Sequence, residues 1–301
     1  MKIRIGIGFG VRTGLNGPAF GDVVDALESL HFDSLWLSER IVGSAPDPLV
    51  ALAYAAGRTT NLKLGTSVMV LPGRNPVVLA KELATLDRMS NGRLLPAFGL
   101  GVADPVEQQA FGVERSGRAA LFDEAMTVLR GCWQPGPFTH RGAHFHYDAL
   151  DVQPKPTQDH LDVWLGGIAP SELRRVARLA DGWLPAFVTP DDVRSGRETI
   201  EQSLREHGRE IEDEHYGVLL PYSLGEVPAP VLAGLAARRP DLADPAVLVP
   251  HGLDGLQHAI EQFIAVGTSK FVILPLVEPS TPDAWIRHLE VLHPLVRSMQ
   301  T

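Results

Sequence analysis

Short runs of apolar residues alternate with amphipathic segments along the whole chain. Eight of these runs have the length and the flanking residues of buried strands, and the segments between them carry apolar residues at helical spacing. The predicted strands are 3–9, 34–38, 64–71, 94–100, 163–166, 182–187, 217–222 and 270–276. Eight strands that alternate with helices favour an α/β fold of the closed (β/α)8 class, the TIM barrel, over an open doubly wound sheet.

The clearest strand–helix–strand unit covers residues 65–101. Val68 and Val70 close a strand, and the pair Asn75–Pro76 supplies an N-cap followed by proline at the first helical position. Apolar residues at helical spacing follow until Asn91–Gly92 stops the helix, and a second strand starts at once. Such a unit is the building block of a parallel sheet.

Two irregular segments interrupt the alternation, at about 102–161 and 226–249. The first contains a predicted helix near 118–129 and a predicted hairpin over 138–147, and the second contains four prolines. We therefore expect one barrel domain, residues 1–301, with these two segments as insertions.

Composition and charge narrow the class of protein. A formal net charge of −9 over 301 residues argues against a nucleic-acid or anionic-membrane partner. No apolar run approaches a membrane span, and the first residues alternate like a strand instead of forming a signal peptide. Cys132 is the single cysteine, which excludes an internal disulfide and fits a reducing compartment. We expect a cytoplasmic protein that acts on a small molecule.

Histidines at 140, 144 and 146 raise the question of a metal site. No nearby pattern of aspartate or glutamate completes a ligand set there, and the segment is rich in turn signals. No metal is therefore expected.

In a parallel barrel, ligands bind at the carboxyl ends of the strands. That rule nominates Glu39, Arg40, Leu71, Gly99, Leu100, Gly101, Gly166, Gly167, Phe187, Tyr222 and Leu276, and places Arg12 and Thr13 just beyond the first strand. Gly166 and Gly167 allow close approach of the backbone to a ligand, and the N–H groups that open the following helix can bind an anion. The alternative is a loop whose glycines only turn the chain.

Three stretches, 65–101, 34–40 and 164–183, resemble the luciferase-like monooxygenase superfamily of flavin- and F420-dependent (β/α)8 barrels. The likeness extends over most of the chain and implies an oxidoreductase. It implies that the turn containing Gly166, Gly167, Ala169 and Pro170 holds the phosphate of the cofactor.

The resemblance also implies a non-prolyl cis peptide at Ser67–Val68, whose bulge supports the back of the cofactor ring. A plain trans strand is the alternative. Val70 matches a position at the edge of the ring. Leu100 and Gly101 match positions where the backbone of family members meets the ring or its side chain.

Glu39–Arg40 stands where similar F420-dependent sugar-phosphate dehydrogenases have an Asp–His pair. Glu39 can accept a hydrogen bond from the ring or its ribityl side, and Arg40, a permanent cation, can orient an anionic ring or substrate. The alternative is a structural Glu39–Arg40 pair at the rim. A carboxylate of those relatives corresponds to Val102, so we do not expect sugar-phosphate dehydrogenation by their mechanism. Glu39, Tyr222 and solvent are the candidates for proton delivery, in that order.

These observations lead to the hypothesis of an F420-dependent oxidoreductase that transfers a hydride between the deazaflavin and an unidentified organic substrate. Two alternatives stay open: an FMN-dependent two-component monooxygenase, and a flavin- or F420-binding barrel without turnover. Because family members often form homodimers, the resemblance also implies a homodimer.

Overall fold

The structure, a computed structural model, describes residues 1–11 and 13–301. Arg12, which the strand-end rule places beyond the first strand, lies outside the described residues. The strands are β1 (Arg4–Phe9), β2 (Ser34–Leu37), β3 (Lys63–Thr66), β4 (Met69–Val70), β5 (Leu94–Leu95), β6 (Ala97–Gly99), β7 (Phe138–Arg141), β8 (His146–Leu150), β9 (Trp164–Leu165), β10 (Gly182–Trp183), β11 (Gly217–Tyr222) and β12 (Lys270–Pro275). The helices are α1 (Gly17–Ser29), α2 (Pro48–Ala56), α3 (Pro76–Met89), α4 (Pro105–Phe111), α5 (Arg118–Trp133), α6 (Pro170–Leu179), α7 (Pro190–His207), α8 (Ala229–Arg238), α9 (Gly252–Ala265) and α10 (Pro282–Met299).

The parallel strands form a closed ring. One parallel sheet has the order β11-β12-β1-β2-β3-β5, and a second has the order β10-β9-β6-β4. The sheets join because β3 and β4 are halves of the third barrel strand, and β5 and β6 are halves of the fourth. Parallel bridges from Trp183 to Tyr216 and from Ala186 to Leu219 close the ring. The predicted (β/α)8 class is confirmed.

The third and fourth barrel strands are each interrupted near their middle. Ser67 and Val68 separate β3 from β4, and the peptide bond between them is cis. Pro96 separates β5 from β6. Thr66 connects the two strands across the interruptions, because its Oγ1 donates to the Ala97 carbonyl at 2.7 Å and accepts from the Ala97 N–H at 2.8 Å.

Two tryptophans fill the interior of the barrel, each packed on a glycine. Trp36 and Trp164 belong to an apolar cluster inside the ring. A Cβ at Gly65 would lie 2.2 Å from the Trp36 ring, and a Cβ at Gly182 would lie 2.5 Å from the Trp164 ring. These indoles therefore fill space inside the barrel that a ligand would otherwise occupy.

The first strand shows how alternation divides the core. Ile5, Ile7 and Phe9 are buried in the larger apolar cluster between the ring and the helices. Gly8 faces inward, where its Cβ would lie 3.0 Å from Val272. The alternation of glycine with large apolar residues therefore follows from the two different faces of one strand.

Both predicted insertions contain secondary structure. The first holds α4, α5 and the antiparallel hairpin of β7 and β8, as predicted for 118–129 and 138–147. Asp87 of α3, which is fully buried, accepts the N–H groups of Thr157 at 2.7 Å and Gln158 at 3.1 Å and so fixes the following connector.

The second insertion forms a lid at one side of the ring. It contains α8 and a short 3-10 turn, Pro245–Leu248. Leu235, Leu248 and Val249 form a small apolar cluster there, against Phe187 and Leu276. Within the described residues, no helix combines the length and the apolar content that crossing a bilayer requires.

Candidate cofactor and active site

The carboxyl ends of the barrel strands surround a cavity of about 1110 Å³. Its wall is built from the segments that follow β1, β2, β4, β6 and β12, and α8 covers one side. Ten residues predicted from the sequence line it: Glu39, Arg40, Ser67, Val68, Val70, Gly99, Leu100, Gly101, Phe187 and Leu276. The structure therefore brings together the candidates from the second, third and fourth barrel strands.

One wall of this cavity is a close fit between the third and fourth barrel strands. A Cβ at Gly99 would lie 2.6 Å from Val68 Cγ2, and a Cβ at Gly101 would lie 3.1 Å from Val70 Cγ1. Gly101 also has a φ of +82°, which favours glycine. Ser38, which the strand-end rule missed, donates from Oγ to the Ser67 carbonyl at 2.9 Å. The result is a wall of backbone and short side chains.

Glu39 forms its ion pair with Arg74, and not with its neighbour Arg40. One carboxylate oxygen accepts the Val70 N–H at 2.7 Å, and the other contacts the Arg74 guanidinium. Arg74 Nε also donates to the Val70 carbonyl at 2.9 Å. The Glu39 side chain is only 2% exposed. Burial raises the pKa of its carboxyl, and the Arg74 guanidinium opposes that shift.

Arg40 points toward the first insertion. Its guanidinium lies 3.5 Å from Asp104 and 3.5 Å from Glu107. Glu107 is 3% exposed and also accepts the N–H groups of Ile41 and Val42, at 3.1 and 2.9 Å. The alternative of a structural Glu39–Arg40 pair is therefore wrong, since each residue pairs with a different element.

The Gly166–Gly167 turn lies beside the main cavity. Both glycines line a smaller pocket of about 110 Å³, which shares Val68, Gly99, Leu100 and Glu172 with the main one. Gly167 has a φ of +93°, and a Cβ on it would lie 2.5 Å from a Glu172 oxygen. Ala169 and Pro170 open α6 on the exposed side and line neither pocket.

Glu172 occupies the anion-binding groups of this turn. Its carboxylate accepts the N–H groups of Ile168 at 3.1 Å and of Ala169 at 3.0 Å. These are the donors at the helix start that a phosphate would use. The wall of backbone and short side chains leaves space for a ring in the main cavity, whereas a phosphate at this turn requires the Glu172 side chain to move away.

Tyr222 is not placed at the cavity. It is fully buried on the outer face of β11, and its hydroxyl lies 2.5 Å from His288 Nε2 of α10. Burial raises its pKa well above the ordinary value. Leu219 lines the cavity from the same strand, and strand alternation therefore turns Tyr222 outward. The expectation that Tyr222 delivers a proton is corrected on this ground.

The cavity contains charged residues that sequence reasoning missed. Arg118 lines it and donates to the carbonyls of Gly101 at 2.8 Å and Val102 at 3.4 Å. Arg238 of α8 lines it with its guanidinium 4.4 Å from the centre of the Phe187 ring. Glu278 lines it from the segment after β12. Glu278 lies only two residues beyond the predicted end of the last strand, so a wider strand-end rule would have found it.

Three potential metal ligands lie close together on another part of the barrel. Ligand atoms of His160, Asp162 and Asp181 lie within 4.8 Å of one another. Asp181, however, is paired with Arg130 at 2.5 Å and Arg209 at 3.5 Å. The group is therefore an ion-pair network around the segments that precede β9 and β10. His140, of the predicted hairpin, lies 3.1 Å from Glu124.

Comparison with known proteins agrees with this architecture. The F420-dependent secondary alcohol dehydrogenase solved with an F420–acetone adduct superposes with a TM-score of 0.81 and 19% identity, and the match covers 100% of both chains. The FMN-bound oxygenating constituent of 3,6-diketocamphane monooxygenase from Pseudomonas putida has a TM-score of 0.76 and 17% identity, over 100% of this chain and 99% of that one. At these identities the likeness establishes the shared fold.

Sequence comparison reaches curated relatives over part of their length. The F420-dependent glucose-6-phosphate dehydrogenase of Kineococcus radiotolerans is 29% identical over 189 residues, 60% of this chain and 55% of the relative. The chain spans about half the length of the curated relatives it matches. A sequence model described as luciferase-like monooxygenase matches residues 4–267. Because that match covers most of the barrel, the chain belongs to the luciferase-like monooxygenase family.

Proposed function

We propose that this protein is an F420-dependent oxidoreductase that transfers a hydride between the deazaflavin and a small organic substrate. The observation that carries the proposal is the cavity of about 1110 Å³ whose wall is formed by Ser67, Val68 and the Gly99–Gly101 backbone. Relatives named as F420-dependent enzymes support the choice of cofactor. The FMN-bound neighbour makes FMN the competing candidate.

The residues of the chain would bind and orient this cofactor. The short side chains of the wall formed by the third and fourth barrel strands would lie against the flat ring. Arg118 and Arg238 supply positive charge on the cavity for its anionic tail. Glu39, fixed between Arg74 and the Val70 N–H, would hold β4 in place and present its edge. When bound, the cofactor supplies the two-electron hydride chemistry, and the protein supplies position and electrostatics.

The lid would keep water from the reacting atoms. Leu235 is 4% exposed and packs with Leu248 and Val249 on the side of the cavity that α8 covers. Excluding water strengthens the electrostatic interactions inside the site. Cytoplasmic location, the homodimer and the single-domain organisation stay predictions.

Binding titrations with F420 and with FMN test the cofactor. We expect saturable one-to-one binding of F420, followed by cofactor fluorescence, and binding of FMN at least about tenfold weaker, about 1.4 kcal/mol. Arg118→Ala should weaken F420 binding, since it removes a cation from the cavity. Arg115→Ala, an exposed arginine three residues away that does not line the cavity, is the matched control.

Turnover is then followed as oxidation of reduced F420 by acetone, 2-hexanone or cyclohexanone. Tight FMN binding with none for F420 would contradict the proposal and favour a monooxygenase that uses reduced FMN and oxygen. Binding of F420 without turnover by any electron acceptor would favour a carrier or sensor.

A further inference from the structure

Glu278 is a carboxylate on the cavity whose hydrogen-bond donors are neutral. It lies three residues after β12. One of its oxygens accepts the Gly10 N–H at 2.5 Å, and the other accepts the Thr13 hydroxyl at 2.5 Å. Thr13 is 2% exposed, so this donor is held in place by its surroundings. The carboxylate is therefore fixed in orientation without an ion pair among the described residues.

The other charged side chains around the cavity have different partners. Among the described residues, no lysine, arginine or histidine lies within 4.0 Å of the Glu278 carboxylate oxygens. The remaining charged side chains of the cavity each contact another group. The acidic ones are Glu39 against Arg74, Glu107 against Arg40, and Glu172 against two backbone N–H groups. The basic ones are Arg40 beside Asp104 and Glu107, Arg118 on two carbonyls, and Arg238 over the Phe187 ring; Asp283 lies in the first turn of α10, the helix that follows Glu278. Glu278 thus differs from Glu39 and Glu107, whose charges are balanced by arginine.

The position of Glu278 in the ring places it across from the proposed cofactor wall. It follows β12, which pairs with β1, and its two donors follow β1. Ser67 and Val68 belong to the third barrel strand, three places further around the ring of eight. A substrate stacked on the face of the cofactor ring that points away from this wall would therefore lie between the cofactor and Glu278.

We propose that Glu278 exchanges the proton with the oxygen atom of the substrate during hydride transfer, which makes the substrate a carbonyl compound or the corresponding alcohol. This inference rests on the proposed function. In the reducing direction a hydride adds to the carbonyl carbon, the C=O π bond breaks, and the Glu278 O–H proton goes to the oxygen. Reduced deazaflavin is oxidised by two electrons, and solvent returns a proton to Glu278. In the other direction the carboxylate takes the hydroxyl proton while the hydride leaves carbon.

The environment of Glu278 favours the protonated form of its carboxyl. Burial raises the pKa of Glu278, and the hydrogen bonds from Thr13 and Gly10 oppose the shift only in part. A general acid works best when its pKa lies near the working pH. Glu39 is less suited, since the positive charge of Arg74 lies against one of its oxygens and favours the ionised carboxylate.

Single-turnover reduction of acetone, 2-hexanone or cyclohexanone by reduced F420 tests the role. Glu278→Gln should lower the rate at least about a hundredfold, the range found for general acids, while the F420 dissociation constant changes less than about twofold. The wild-type rate should fall as pH rises through the pKa of Glu278, and this fall should vanish in Glu278→Gln. Thr13→Val removes a donor to the carboxylate and should move the fall to higher pH. Glu290→Gln, an exposed glutamate on α10, is the matched control.

A second measurement needs neither cofactor nor substrate. Carbodiimide with glycine methyl ester labels protonated carboxyls, and mass spectrometry compares Glu278 with Glu290 over pH 4–8 in the same sample. A labelling midpoint for Glu278 above that for Glu290 supports the proposal, and equal midpoints overturn it. A rate loss below about threefold in Glu278→Gln also overturns it. If the wild-type protein does not bind F420, the proposed function is rejected. Because the labelling experiment needs no cofactor, it tests the role of Glu278 separately from the proposed function.

Discussion

Removing Arg74 isolates the buried charge pair at the edge of the cofactor wall. In Arg74→Ala, the Glu39 carboxylate keeps the Val70 N–H but loses its only ion-pair partner among the described residues. Breaking a buried pair on one side costs about 3–5 kcal/mol. Coulomb's law at an effective dielectric constant of about 20 gives about 4 kcal/mol for charges about 4 Å apart, which agrees. We therefore expect the free energy of unfolding to fall by about 3–5 kcal/mol near pH 8.

The pH dependence of this loss follows from the sign of the Glu39 shift. Burial already raises the pKa of Glu39 in the folded protein, and removal of Arg74 raises it further. A carboxyl whose folded pKa is raised binds more protons in the folded state, so stability falls as pH rises from the unfolded pKa to the folded one. The deficit of Arg74→Ala should therefore be larger at pH 8 than at pH 5.5.

Equilibrium urea denaturation, followed by tryptophan fluorescence and far-ultraviolet circular dichroism, measures the deficit at both pH values. Arg88→Ala, which removes an exposed arginine from α3, the helix that follows Arg74, should change stability by less than about 0.5 kcal/mol. In a Glu39→Gln background the buried carboxylate is absent, and Arg74→Ala should then cost only about 1–2 kcal/mol, for the lost bond to the Val70 carbonyl. A deficit below about 1 kcal/mol at pH 8, or an equal deficit at both pH values, would refute the reasoning.

Four further variants test other parts of the structure. Glu172→Ala should tighten F420 binding about tenfold, about 1.4 kcal/mol, because it frees the N–H groups of Ile168 and Ala169. The melting temperature should fall slightly, since the helix loses a cap. An unchanged or weaker affinity in the titration would mean that no anionic group of the cofactor binds at these N–H groups. Gly65→Ala forces a Cβ to 2.2 Å from Trp36 and should destabilise the protein by about 3 kcal/mol or more in thermal denaturation. Gly14→Ala, whose Cβ would have no atom of the described residues within 4 Å, should leave stability unchanged in that assay. Tyr222→Phe should lower the free energy of unfolding by about 1–2 kcal/mol, because it removes the hydrogen bond to His288. The rate of ketone reduction should stay within about twofold, since Tyr222 does not line the cavity. A large loss of rate would instead support Tyr222 as a proton donor. His288 adds a pH test, because burial lowers its pKa from 6.5 to about 4. The unfolded state binds more protons than the folded state in this range, so stability should fall as the pH is lowered from 6.5 to 4. His288→Gln should reduce that fall.

The strands of the barrel were predictable because a strand buried on both faces is a continuous run of apolar residues in the sequence. The runs 217–222 and 270–276 are apolar at nearly every position, and they agree with β11 and β12 to within one residue. The start of α3 was predictable for a similar reason, since Asn75 accepts the N–H groups of its own helix at 3.0 and 3.1 Å. Such signals depend on neighbours in the chain.

The pairing of charges could not be predicted in this way. Glu39 and Arg40 are adjacent in the sequence, yet Glu39 contacts Arg74 and Arg40 lies beside Glu107. These partners are 35 and 67 residues away, on elements whose relative placement depends on closure of the ring. The outward direction of Tyr222 follows from strand register, which a one-residue shift would reverse.

By itself, the order of apolar and polar residues determined the strands, the helices between them and the edge of the ring where a ligand would bind, because each depends on local periodicity and on the polarity of parallel strands. Only the tertiary structure decided which cavity carboxylates are neutralised: it set Arg74 against Glu39, turned Glu172 onto the helix start, and left Glu278 with Gly10 and Thr13 as its donors. The physical reason is that electrostatic interactions depend on distance through space and on burial, and residues far apart in the chain acquire both only when the barrel closes.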